Sequence, residues 1–156
     1  MNQSNIDEVF AAWKSYVDSI KDWQALVAGI IPKPTGCGPV YELPNPIDRP
    51  NESFAIADMR NLQYAEPHYH TNGETEIYIV LTGLGTIVVG GTESQLEPGS
   101  VSVTPPEIAH FTIPRENLVL AVINTPPFNA ANAISLADSN TTVHFDASLL
   151  ERLKTG

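Results

Sequence analysis

From Phe54 onward the apolar residues recur with a period of two, in short runs at 54–60, 62–70, 75–81, 85–90, 94–97, 100–104, 109–113 and 118–124. Turn residues separate most of these runs: Thr82-Gly83, Gly90-Gly91, Pro98-Gly99, Pro105-Pro106 and Pro114. Successive side chains of a strand point to opposite faces, so each run has one face to bury and one to show. No helical stretch lies between the runs, which argues against a parallel sheet with crossover helices. The pattern predicts an all-β antiparallel sandwich or barrel. Gly90-Gly91 is a candidate tight hairpin, because two-residue turns favour left-handed backbone.

The flanks read differently. Ile6, Val9, Phe10, Trp13, Val17, Ile20, Trp23 and Val27 recur every three or four residues and predict an amphipathic helix over 5–28. Ser4 with Asp7, or Asn5 with Glu8, supplies a cap, and Gly29 and Pro32 stop the helix. Packing against the outside of the domain is the expected use of its apolar stripe. The two tryptophans also suit a subunit contact, as in a homodimer. Residues 29–53 are rich in Pro, Gly and Asn and are expected to form an irregular arm. Within it Cys37 reads as a small packed residue, since nothing nearby in sequence lowers its pKa. Residues 129–156 form a C-terminal extension: a polar loop at 129–140, a strand or packed segment at Val143 and Phe145, and a short helix carrying Leu149, Leu150 and Leu153 that Asp146 can cap. All 156 residues are expected to form one domain.

Charge excludes some partners. Lys and Arg total 8 against 18 Asp and Glu, a net charge of -10, which argues against nucleic acid and anionic membranes. An anionic small ligand stays allowed, because a bound cation can dominate the local field. The single cysteine cannot form an internal disulfide and fits a reducing compartment. No apolar run approaches a membrane span and no signal peptide is apparent, so a cytoplasmic protein is expected.

The residues that carry chemistry cluster in two blocks. His68 and His70 are two apart, so a strand aims both imidazoles at one point. Five residues separate His70 from Glu76 and six separate Glu76 from Gly83. Downstream, Gly99 is followed after five residues by Pro105-Pro106-Glu107, then two residues, then His110. These blocks resemble the two signatures of the cupin superfamily, and the resemblance spans roughly 54–128. It implies a small, single-domain jelly-roll β-barrel binding one divalent metal through His68, His70, Glu76 and His110. Such a donor set suits Fe, Mn, Ni, Co, Cu or Zn and leaves one or two positions open. The chain departs from the pattern with Glu107 where the family has Gly, Pro114 where it has Asn and Leu62 where it has its first Gly. The gap before Glu76 is one residue longer than usual, and Glu74 is the other candidate for fourth ligand. Glu76 is preferred, because it keeps the spacing to Gly83 and opens the strand that would hold it rigidly.

Other residues share faces with these four. Tyr64 and Glu66 have the parity of His68, provided that no bulge intervenes; Tyr78 and Val80 have that of Glu76, and Thr112 that of His110. Tyr78 and Tyr64 are candidate proton donors, equally readable as barrel core. Arg60 reads as a surface residue or as the holder of an anionic group. His144, outside both blocks, reads as an ordinary histidine. The resemblance implies a metal-dependent enzyme on a small polar molecule, with sugar isomerase-like proton transfer, as the expected function; an Fe(II)-dependent dioxygenase and a non-catalytic small-ligand-binding or sensing module are the alternatives.

Overall fold

The computed structural model describes residues 3–136 and 145–155. Two helices, α1 (Gln3–Asp18) and α2 (Trp23–Leu26), precede the strands. The strands are β1 (Lys33–Thr35), β2 (Gly38–Leu43), β3 (Ser53–Asp58), β4 (His68–His70), β5 (Thr75–Val89), β6 (Thr92–Leu96), β7 (Val101–Thr104), β8 (His110–Thr125) and β9 (Ala133–Ser135). Helix α3 (Ala147–Thr155) closes the chain. Among the described residues every strand pairing is antiparallel, and the order β1-β2-β3-β8-β4-β9 is joined by β5, which pairs with β6, β7 and β8.

The long hairpin-like ladder of β5 and β8 organises the rest. It runs from Thr75 opposite Thr125 to Val89 opposite His110, with register shifts between Val80 and Gly85. Thr82-Gly83 and Pro114 therefore interrupt strands without ending them, and four expected runs merge into two. The reason is local. Gly83 has φ +90, and a side chain there would collide with the backbone carbonyls of Asn117 and Glu116. Asn117 answers with φ 49 on the other strand. Such a bulge bends both strands and tightens their twist without breaking the ladder. The ladder curls so far that its two ends meet, with His110 from one end 3.0 Å from Glu76 at the other. Gly90 and Gly91, at φ 57 and 87, make the predicted hairpin between Val89 and Thr92.

Alternation sorts the core into an outer and an inner layer. Phe54, Ile56, Ile77, Ile79, Val119, Ala121 and Ile123 face Val9, Trp13 and Val17 of α1. Tyr78, Val80, Leu118, Leu120 and Val122, on the opposite faces of the same strands, fill the barrel with Ala57, Met59 and Ile87. A third group, Val88, Phe111 and Ile113, is covered by Leu150 and Leu153 of α3. Asp146 caps α3, accepting from the Ser148 N–H at 3.0 Å.

Three expectations need correction. The helix over 5–28 breaks after Asp18, because Ser19 bonds back to Tyr16 and Asp22 caps a new turn by accepting from Gln24 and Ala25. It already runs from Gln3, so Asn5 is inside the helix and not at its cap. The irregular arm contains a hairpin, β1–β2, whose second strand pairs with β3. Thr35 shapes its turn, its hydroxyl accepting from Cys37 N–H and donating to the Gly38 carbonyl. Pro34 is tolerated because β1 is an edge strand. Of the run 62–70 only His68–His70 is a strand. Val143 and His144 lie outside the described residues, whereas Phe145 packs edge-on against Phe111 at 5.8 Å.

Candidate metal centre

Three strands bring four side chains together. His68 and His110 are direct partners across β4 and β8, and their rings lie 4.2 Å apart. His70 stands two residues along the same face, its ring 5.0 Å from His68 and 5.4 Å from His110. Glu76 opens β5 opposite Thr104 and Asn124. One donor atom from each of His68, His70, Glu76 and His110 can be chosen so that all lie within 4.8 Å of one another. His70, Glu76 and His110 are buried, while His68 is half-buried and marks the open side. Phe128, 42% exposed, has its ring 6.3 Å from that of His70.

The imidazoles are oriented alike. His68 donates from Nδ1 to the Glu66 carbonyl at 2.9 Å, and the His110 Nδ1 faces the Ile108 carbonyl at 3.5 Å. That leaves the Nε2 lone pair of each for the centre. The Glu76 carboxylate faces two of these nitrogens, His110 Nε2 at 3.0 Å and His70 Nε2 at 3.3 Å. His70 Nδ1 lies 3.3 Å from Glu74 on the far side of its ring. Neither His70 nitrogen reaches hydrogen-bond geometry, although the residue is buried. A buried polar atom without a partner is costly, and a cation at Nε2 would satisfy one of the two. Three nitrogens and a carboxylate are also the donor types that first-row divalent ions take, so the residues fit such an ion.

The electrostatics divide the histidines. Burial first, and then the neighbouring His110, push His68 down to about 4. Burial also opposes a proton on His70, but Glu74 and Glu76 outweigh it and raise His70 to about 10. For Glu76 burial favours the neutral acid, yet His110 and His70 hold the carboxyl well below its usual range. The charges acting on this cluster are carboxylates and imidazoles. Three arginines pair elsewhere, Arg60 with Asp58 at 2.9 Å, Arg152 with Glu93 at 3.7 Å, and Arg49 with Glu52, and Arg115 donates to the Leu153 carbonyl at 2.9 Å. Arg60 also lies over the Trp23 ring at 4.9 Å, which leaves its surface reading intact.

The two tyrosines part company. Tyr78 faces inward, buried, its ring 6.3 Å from His110. Burial, then Glu76 and Cys37, raise its phenol well above the usual range. Tyr64 joins the outer group under α3, with Lys154 over its ring at 4.5 Å. Residues 62–67 are not a strand, so Tyr64 does not share the face of His68 as its parity predicts. Glu66 likewise turns aside, accepting from the Ser135 hydroxyl. A cavity of about 480 Å³ borders Tyr64, Glu66, Leu62 and Phe145, beside the cluster and not at it.

Sequence reasoning missed three neighbours. Cys37 reaches the Tyr78 hydroxyl, and burial first and then Glu76 push its thiol up to about 12. Asn124 donates to Glu74 at 2.8 Å and to Glu76 at 3.3 Å. Asn132 donates to Glu74 at 3.2 Å. Asn124 left a readable trace: it is the polar end of the inward row Leu118, Leu120, Val122. Asn132 left none, because it arrives on a short turn, Ala130–Asn132.

Comparison with solved structures finds the same fold. A protein from Planctomyces limnophilus is 23% identical over 69% of this chain and 91% of its own, with a TM-score of 0.59. KdgF from Halomonas sp. is 17% identical, covering 60% of this chain and 82% of its own, at a TM-score of 0.53. The Streptomyces nucleoside dehydratase Pac13 is 12% identical, covering 74% and 95%, at a TM-score of 0.58. At such identities the likeness is one of fold, the cupin fold. No curated protein sequence matches the chain. The model of the AraC-like ligand binding domain matches residues 50–154, more than half the chain, and the chain belongs to that cupin-like family.

Proposed function

We propose that this protein is a metal-dependent binding domain for a small polar molecule, with His68, His70, Glu76 and His110 as the ligands of one divalent first-row ion. The observation that carries the reading is the common orientation of the imidazoles around Glu76. His68 and His110 turn Nδ1 to backbone carbonyls, and His110 and His70 present Nε2 to the carboxylate. Glu76 is preferred to Glu74 because it faces the Nε2 side. When bound, the ion would supply a Lewis acid with one or two positions for oxygen donors. Phe128, half-exposed and 6.3 Å from the His70 ring, offers an occupant an apolar edge. The family's ligand-binding description supports this, as does Pac13, a structural neighbour solved with uridine, a hydroxylated small molecule.

Proton-transfer turnover of the isomerase kind finds less support. Tyr64 lies outside the cluster, and Tyr78 is held protonated, in contact with Glu76 and Cys37. A phenol in that state donates a hydrogen bond well and abstracts a proton poorly. The dioxygenase reading uses the same ligands and turns on the metal.

The test is metal analysis of the full chain, purified without added metal, alongside His70→Ala. The expected result is about one equivalent in the wild type and a large loss in the variant. Equal content in the two sinks the site. Oxygen uptake by the Fe(II)-loaded protein with candidate substrates would revive the dioxygenase reading.

A further inference from the structure

Glu74 is fully buried, yet it lies on the side of His70 away from the centre. A buried carboxylate needs partners, and this one has several. Asn124 of β8 donates to its Oε1 at 2.8 Å, and Asn132 donates to its Oε2 at 3.2 Å. Asn132 is fixed in turn, accepting from the Asn72 amide at 2.6 Å while its carbonyl accepts from Thr71 N–H at 2.8 Å. Asn124 also reaches Glu76 at 3.3 Å. The remaining neighbour of Glu74 Oε1 is His70 Nδ1, at 3.3 Å.

The three histidines differ in what faces Nδ1. For His68 and His110 it is the carbonyl of the residue two positions earlier, Glu66 and Ile108. The backbone thereby fixes those two rings. His70 has Glu74 there instead. We propose that Glu74 is the positioning residue for His70, accepting from its Nδ1–H so that Nε2 keeps its lone pair for the metal. Asn124 and Asn132 hold that carboxylate in place. This gives the long gap between His70 and Glu76 a purpose: it lets Glu74 turn back beneath His70. The inference rests on the metal-binding reading above. A carboxylate behind a ligating imidazole fixes its tautomer and raises its basicity.

The test is Zn(II) affinity of the full chain by competition with a chelating dye, for wild type and Glu74→Gln. The glutamine keeps the shape and removes the charge, so a packing role predicts equal affinity. The positioning role predicts a loss of about 10- to 100-fold, read on a variant that circular dichroism shows to be folded. Nitrogen-15 NMR gives a second readout: in the Zn(II)-loaded wild type His70 should carry its proton on Nδ1, and in the variant that signal should weaken or shift. Should Glu74→Gln fail to fold, Asn132→Ala, which frees one oxygen of Glu74, should still weaken Zn(II) binding about threefold or more. Zn(II) affinity within twofold of wild type in a folded variant overturns the role of Glu74 alone. A wild type that binds no Zn(II), Co(II) or Fe(II) overturns both this role and the reading beneath it.

Discussion

Replacing Trp13 by alanine should remove a large share of the protein's stability. Trp13 is wholly buried, stacks on Phe54 at 5.1 Å and 12°, and meets Tyr16 edge-on at 6.2 Å. Its indole N–H donates to Glu52 at 3.3 Å. A buried tryptophan removes roughly 150–250 Å² from water, which at about 25 cal/mol per Å² comes to about 4 to 6 kcal/mol. Measured truncations of this kind cost about 3–5 kcal/mol, since the cavity relaxes in part. With a urea slope of roughly 2 kcal/mol per molar, the midpoint should fall by about 2 M. Trp13→Phe keeps the stack and loses only the hydrogen bond and some area, so it should cost about 1–2 kcal/mol. Urea denaturation followed by circular dichroism measures both. A loss below about 1 kcal/mol for Trp13→Ala would mean that α1 is not seated on the sheet, contrary to the packing argument.

Four further outcomes are expected. Gly83→Ala should destabilise by about 3 kcal/mol or more, because φ +90 is strained for alanine and the carbonyl of Asn117 cannot yield; it should also weaken metal binding, since that bulge brings the ladder's ends together, and unchanged affinity would separate the two. Glu107→Gly should be neutral or stabilising by up to about 1 kcal/mol, as Glu107 sits at φ 66; a clear loss in thermal unfolding would refute this. Burial would raise the Asp58 carboxyl, but Arg60 outweighs it and lowers it. That contribution is full above the unfolded value of about 3.9 and is lost as pH falls through the lower folded value, so the acid limb of the stability curve should flatten in Asp58→Asn. Metal should dissociate in mild acid as protons compete for the imidazoles; retention unchanged to about pH 4 would count against three histidine ligands.

Much of the arrangement was legible because it follows from period and parity. His68, His70 and His110 share a centre since strands alternate and β4 lies beside β8 in register. The inward row of β8 and the stripe of α1 were visible for the same reason. What escaped was decided by backbone accommodation. Thr82-Gly83 and Pro114 look like ends of strands, yet a left-handed glycine opposite a left-handed asparagine carries both strands through. Tyr64 was assigned by parity to a segment without strand geometry. The hairpin at Gly36-Cys37 was readable in retrospect, as a two-residue turn between Thr35 and Gly38, but two prolines masked its strands. Glu74 was weighed only as a ligand, because sequence spacing says nothing about which edge of an imidazole a carboxylate meets.

The family match begins at residue 50, after α1, α2 and the β1–β2 hairpin. The sheet face that α1 covers is made of Phe54, Ile56, Ile77, Ile79, Val119, Ala121 and Ile123, all within the match. A fragment cut to the match would therefore present that apolar wall to water and would be prone to aggregate, although it contains all four candidate ligands, His68, His70, Glu76 and His110. Relatives that share the matched residues but not this N-terminal segment must cover the same wall by other means, so its covering is a place where members of the family can diverge without touching their chemistry.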